Sequence, residues 1–175
     1  SAVPMFGALA FGSFVNGLVG DDEIWIARRS RDKPTYPHRL DLIAAGGLSH
    51  GELPSQNVVK ECQEEASIPA AIAKCAAPAG LISYATADEG GFGVKRDCCF
   101  VYDLKLPNDF EPVPNDGEVE SFKRMPISDV VLSLVGEPDE WKPNVCLVLI
   151  DMLVRRGHLT PDDDAYIELV RALRQ

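Results

Sequence analysis

The sequence has no CxxC pair, no apolar run long enough to cross a bilayer, no surplus of basic charge, no internal repeat and no domain linker. Each absence removes a class. The five cysteines (Cys62, Cys75, Cys98, Cys99, Cys146) are odd in number, and the adjacent Cys98 and Cys99 would point to opposite faces of a strand. They are read as small, reduced core residues rather than a disulfide or zinc framework, so an intracellular, cytoplasmic setting is expected. Three histidines, His38, His50 and His158, lack metal-ligand spacing. The opening SAVPMFGALAFGSFVNGLVG has no basic lead-in and is interrupted by Ser13 and Asn16; it is a buried strand rather than a signal sequence, and no membrane segment is expected. A formal net charge of -10 argues against nucleic acid as the main partner. An anionic substrate would need local positive charge or a metal. The chain begins at Ser1 rather than Met, and upstream residues are expected to be missing.

What is present fits one domain over residues 1–175, with 46% hydrophobic residues to build a core and 25% charged residues, the globular average. Phe11–Val19 and Ile24–Arg29 flank the turn residues GDD and predict an antiparallel hairpin. Leu42–Ala45 is a short apolar run delivering the chain to Gly46–Gly47. Pro54 suits the first turn of a helix reaching Ala66, with Pro69 beyond its end. Gly80–Ala87 and Cys98–Leu106 are expected strands joined by the loop DEGGFGVKRD, and Ser121–Met125 a further strand. Val145–Arg156 is a helix stopped by Gly157. Thr160–Pro161–Asp162–Asp163 reads as cap, first-turn Pro and first-turn acids of a last helix towards Leu173. Strands interleaved with helices indicate an α/β or α+β fold.

The stretch GGLSHGELPSQNVVKECQEEASIP raises a question of charge. Val58, Val59, Cys62 and Ala66 form a core-facing stripe at 100° per residue, while Glu61, Glu64 and Glu65 crowd the other side. Such like-charge pairs cost a few tenths of a kcal/mol each, so an acidic, solvated helix face is tolerable on its own. The preceding glycines change the balance. Gly46–Gly47 allows carbonyls to approach a ligand closely, and Glu52 adds a fourth carboxylate. Oxygen ligands of this kind suit a hard divalent cation that keeps water positions for a phosphate.

The spacing resembles the Nudix hydrolases, whose box is G-x5-E-x7-R-E-U-x-E-E-x-G-U with U bulky and apolar. Gly46, Glu52, Glu61, Glu64, Glu65 and Ile68 stand in register over 23 positions. Lys60 replaces the usual Arg, which gives a point charge in place of a fork. Ser67 replaces the usual helix-ending glycine, Cys62 is smaller than usual, and Leu53 stands where a capping Ser or Thr is common. The segments WIARRSRDKPTYP, LDLIAAGGLSHG, KECQEEASIP, FVYDLKLPNDF, PNDGEVESFKRM and WKPNVCLVLIDMLVRRGHL resemble, more narrowly, the Nudix domain associated with thiamine pyrophosphokinase, whose relatives carry an N-terminal extension that this chain lacks.

The resemblance implies a mixed β-sheet sandwiched between α-helices and a Mg²⁺-dependent hydrolase of small-molecule diphosphates, with Mn²⁺ able to replace Mg²⁺. Damaged (oxo or oxy) thiamine diphosphate is the implied substrate; oxidised nucleoside diphosphates such as 8-oxo-dGDP are the alternative, and a non-catalytic Nudix ligand-binding module is another. The fold-related isopentenyl diphosphate isomerase needs a histidine cluster that the isolated histidines do not offer. By the family pattern Glu61, Glu64 and Glu65 bind metal with the Gly46 carbonyl and serve catalysis, while Glu52 and Lys60 give structural support. Glu118 in NDGEVES is the leading extra catalytic candidate and Glu120 the runner-up; either is also an ordinary exposed loop residue. Arg28, Arg29 and Arg31 head a basic segment running to Lys33 and Arg39, suited to diphosphate. Strand alternation lets only one of Arg28 and Arg29 reach the site. Trp25, Tyr36 and Phe92 are candidates for stacking on a heterocycle, with packing as the plainer role.

Overall fold

A computed structural model of the chain describes residues 7–87 and 93–173. The expected hairpin forms: strand β1 (Leu9–Val19) turns through Gly20–Asp22 into β2 (Glu23–Arg29), paired antiparallel from Gly17↔Trp25 to Val19↔Glu23. β1 is the hub of the sheet. Its middle, Gly12–Val15, pairs with β4 (Ala44–Gly47), and its whole length runs parallel to β6 (Val94–Leu106). β2 carries the short β3 (Leu40–Asp41) on one side and β7 (Val119–Pro126) along its length, while β5 (Ala77–Ala87) closes the far edge against β6. The seven-stranded sheet is therefore mixed, as expected. Leu9–Val19, within the apolar opening segment, is its central strand.

Helices cover both faces. Helix α1 (Pro54–Ala66) and the single turn α2 (Ala70–Ala73) pack Val58, Cys62, Ala66 and Ile68 on Val15, Ile43, Tyr102 and Leu104. On the opposite face α3 (Ile127–Gly136) and α4 (Pro143–Arg155) bury Val130, Val145, Val148, Leu149 and Met152 against Leu18, Ile24, Ile26 and Val101. Trp141, between α3 and α4, is fully buried and donates from Nε1 to Ser133 Oγ at 3.0 Å.

Several expectations change. Leu42 and Ile43 are buried but unpaired, so the apolar run at Leu42–Ala45 separates two short strands instead of forming one. Two strands start earlier than expected, β5 at Ala77 and β6 at Val94. The last helix, α5, covers only Tyr166–Ala172: the Asp163 carboxylate accepts from Thr160 N–H (2.7 Å) and Thr160 Oγ1 (3.1 Å), closing a turn instead of opening a helix. Cys62, Cys98 and Cys99 are buried as expected, whereas Cys75 is exposed. Gly90, Gly91 and the stacking candidate Phe92, in the GGFG loop, lie outside the described residues.

Candidate active site

β4 delivers Gly46 to the middle of α1, and the two elements meet at van der Waals range. A Cβ added to Gly46 would lie 2.1 Å from the Glu61 carboxylate carbon. No side chain fits there. The need for glycine is therefore one of space, since Gly46 is not among the residues with positive φ. Asn57, one helical turn before Glu61, donates from Nδ2 to the Gly46 carbonyl at 3.2 Å, and Ser13 of β1 ties the start of α1 by donating to Pro54 O at 3.2 Å. The strand end and the helix are thus locked in register.

The three helical glutamates do not share one environment. Glu61 and Glu65 are buried and only Glu64 is exposed. The expected split into a core stripe and an acidic side therefore overlaps, with Glu61 and Glu65 on its inner margin. Glu65 Oε2 accepts the Ala45 N–H at 2.8 Å. Lys60 Nζ sits 3.2 Å from Glu61 Oε1 and 3.5 Å from Glu64 Oε2, a point charge between two carboxylates. Glu52 turns away and accepts the Ser49 N–H at 3.3 Å, bracing its own loop. Ser67 adopts the left-handed conformation (φ 54°) that glycine usually supplies at a helix end, and its hydroxyl donates to Val113 O at 2.8 Å.

Beside α1 opens a cleft of about 370 Å³ lined by Gly46 of β4, by Lys60, Glu61 and Glu64 of α1, and by Arg29, Lys33, Asp116, Glu118 and Lys142. Lys33 Nζ and Glu118 Oε2 are in direct contact across its rim. Glu120 lies outside that lining, against His38 and Arg31. Arg28 is also outside, bonded to His38 O and Glu140, and Arg31 is exposed. Arg29 does line the cleft, but its guanidinium is taken up by Asp41 Oδ2 (2.8 Å), Tyr36 O and Thr35 O. Arg29 shares a face of β2 with Ala27, whose cross-strand partner is Asp41, so strand alternation brings its guanidinium to that carboxylate.

Beneath the cleft, Asp41 is shared by two cations, Arg29 and Lys142, the latter at 2.9 Å. Lys142 reaches this point from the N-terminal end of α4, where its backbone N–H is held by Leu40 O at 3.0 Å.

Burial, and then the nearby Asp41 charge, push Glu65 up to about 8 from an ordinary 4.5. Burial also raises Glu61, against the pull of Lys60. Because the folded metal-free state holds a proton on Glu65 that the unfolded chain has released, stability is full below about pH 4.5 and falls as pH rises towards 8. Between pH 5 and 6.5 this one group removes about 2 kcal/mol, or roughly 4–8 °C in Tm. Thermal unfolding in chelator, read as wild type minus Glu65→Gln, isolates that slope; a difference independent of pH contradicts it.

The donor set consists of oxygen only: two buried carboxylates, one exposed carboxylate and a glycine carbonyl. That chemistry fits a hard divalent cation. Among the described residues no three His, Cys, Asp or Glu side chains converge to enclose an ion by themselves, and Lys60 supplies the counter-charge between Glu61 and Glu64.

The NUDIX domain pattern matches residues 10–145. The chain belongs to the Nudix family. It is 45% identical over 177 residues to a protein of Arabidopsis thaliana named Nudix hydrolase 20, chloroplastic, covering 99% of this chain and 46% of that protein. A MutT protein from Methanosarcina mazei shares the fold, with a TM-score of 0.64, 15% identity and coverage of 86% of this chain and 94% of that one. A bifunctional NMN adenylyltransferase/ADP-ribose pyrophosphatase from Francisella tularensis, complexed with AMP and Mn ion, aligns at a TM-score of 0.60 and 16% identity over 83% of this chain and 41% of that one. The chain spans about half the length of the curated plant relatives it matches. No helix of the described residues is long and apolar enough to cross a membrane.

Within this Nudix site, sequence reasoning had not singled out Asn57, Asp41 or Lys142. Lys142 stands in the WKPNV segment, just before the proline that opens α4. That was the available signal: a lysine placed by a helix start beside the buried Trp141.

Proposed function

We propose that this Nudix chain is a divalent-metal-dependent pyrophosphohydrolase that cleaves the diphosphate linkage of a small molecule. The candidate substrate is damaged thiamine diphosphate; an oxidised nucleoside diphosphate such as 8-oxo-dGDP is the alternative. The observation that carries this reading is the close approach of Gly46 to Glu61, which puts a backbone carbonyl and buried carboxylates beside a cleft lined with cations.

In this reading Glu61, Glu64, Glu65 and the Gly46 carbonyl would hold Mg²⁺ or Mn²⁺, which would supply charge neutralisation at the phosphate oxygens. Glu65 is oriented for that task by the Ala45 N–H and Glu61 by Lys60. Lys33 and Lys142 hold phosphate oxygens, because Arg29 is already committed to Asp41 and two carbonyls. Glu118, which lines the cleft in contact with Lys33, takes a proton from attacking water in this reading, once Lys33 turns to the substrate. Glu52 supports the loop. A reducing compartment suits the five free cysteines, and the cytoplasm is the proposed one.

The test is product release from thiamine diphosphate, its oxo-analogue, 8-oxo-dGDP and ADP-ribose, with Mg²⁺, with Mn²⁺ and with chelator. Turnover is expected only with metal. Gly46→Ala forces the strand end away from Glu61, and a displacement near 1 Å costs on the order of 100-fold in kcat/KM; Gly47→Ala, whose Cβ meets open space, is the matched control. Turnover that survives chelator, or a Gly46→Ala enzyme as active as Gly47→Ala, would overturn the proposal.

A further inference from the structure

The segment that carries Glu118 has little packing to hold it. Residues 113–118 are exposed throughout, between the buried Pro112 and Val119. Hydrogen bonds hold it instead. Val113 N–H donates to Ala66 O at 3.1 Å and Asn115 Nδ2 to Gln63 O at 3.5 Å, which lays the first half of the segment along the C-terminal end of α1. At the other end Ser30 N–H, just beyond β2, donates to Glu118 O at 2.8 Å. The segment therefore spans from the glutamate helix to the loop that carries Lys33.

Between these ties lies one tight turn. Asp116 Oδ1 accepts the Glu118 N–H at 2.8 Å, and Gly117 supplies the positive φ of 81°. Both backbone groups of Glu118 are thus fixed, the N–H by Asp116 and the C=O by Ser30. The Glu118 side chain is 48% exposed, so its direction is set from the backbone and from the contact with Lys33. Burial first, and then the charges of Glu64 and Glu118, push the Glu61 carboxyl up against the pull of Lys60; the Glu118 carboxylate is within electrostatic reach of the α1 glutamates. Asp116 lines the same cleft, but its carboxylate is committed to its own turn.

We infer that Asp116 is a positioning residue for the hydrolysis: its side chain holds the backbone turn that aims Glu118 at the attacking water, and it acts as a hydrogen-bond acceptor rather than as a charge. That role rests on the reading of Glu118 as the base. Asp116 itself touches neither the substrate nor the reacting atoms.

Three variants separate position from charge. Asp116→Ala removes the acceptor. Gly117→Ala keeps every side chain of the cleft and adds a Cβ in open space, but at a positive φ that alanine resists. Asp116→Asn removes the charge and keeps an acceptor oxygen. Asp116→Ala and Gly117→Ala are expected to lower kcat on the order of 100-fold, the cost of a displacement near 1 Å, with KM changed by less than about threefold. Asp116→Asn is expected to restore most of the turnover. Hydrogen exchange at the Glu118 amide, followed by ¹⁵N NMR without metal or substrate, is expected to speed up in the first two variants and to stay slow in Asp116→Asn. In a Glu118→Gln background, Asp116→Ala is expected to cost nothing further, because the two residues act as one unit. Wild-type kcat in Asp116→Ala, unchanged exchange at the Glu118 amide, an Asp116→Asn enzyme as slow as Asp116→Ala, or the same loss with Glu118 already replaced would each overturn the inference alone. Wild-type turnover in Glu118→Gln would sink the base reading and this role together, so the two failures are told apart.

Discussion

Glu65→Gln is expected to lower kcat by at least ~1,000-fold, equivalent to about 4 kcal/mol of barrier, and at the same time to raise the Tm of the metal-free protein above pH 7. The two effects have opposite signs because the proposed metal role of Glu65 comes at the expense of the fold. Its carboxyl is buried on α1, lies near the Asp41 charge, and among the described residues has only the Ala45 N–H as a hydrogen-bond donor. Glutamine keeps that bond through its carbonyl oxygen and removes the buried acid. A residue kept for packing would behave otherwise, since its loss would lower stability and activity together. The measurement pairs kcat on the best substrate of the panel with thermal unfolding in chelator at pH 8. Activity within tenfold of wild type, or a Tm below wild type, would remove Glu65 from the metal site.

The parts of this arrangement that could be read in the sequence are those fixed by local spacing. Gly46, Glu52, Glu61, Glu64 and Glu65 hold their register because a strand end, a loop of set length and a helix turn relate them, and α1 runs from Pro54 to Ala66 as its flanking prolines indicate. The β1–β2 turn is equally local. What escaped was set by distant contacts or by competing turn chemistry. α3 follows β7 with no intervening loop, Pro126 ending one element and preceding the other, so no turn signal separates them. Thr160 and Asp163 have the composition of a helix start, yet their side chains bond each other's turn. The fold divides the basic segment. Arg28 and Arg31 are held by His38, Glu120 and Glu140 outside the cleft, whereas Lys33 and Lys142 line it. No spacing rule connects Lys142 to Asp41; the connection exists because the residues before α4 meet β3, with Leu40 bridging to Trp141.

That same distant contact carries the second large effect. Asp41→Ala is expected to destabilise the protein by about 3–5 kcal/mol, because it strips the shared carboxylate from the buried Arg29 and the partly buried Lys142. Arg29 and Lys142 both bond Asp41 Oδ2, and Asp41 Oδ1 accepts the Leu42 N–H at 2.9 Å, so one substitution breaks three interactions beneath the cleft. For a chain of this size the loss amounts to a Tm drop on the order of 10 °C. The cost comes from stranded charge rather than from any large net gain in the pair itself. Replacing all three groups with apolar ones (Asp41→Leu, Arg29→Met, Lys142→Met) is therefore expected to recover most of the stability lost in the single variant. It would not recover function, since Lys142 would no longer offer a charge to phosphate. Chemical unfolding of the single and triple variants, with turnover on the same samples, separates the two roles. A single variant within about 1 kcal/mol of wild type, no more than an ordinary surface pair contributes, would mean that Arg29 is satisfied by Tyr36 O and Thr35 O alone. A triple variant that still turns over would mean that phosphate is held by Lys33 without help from beneath.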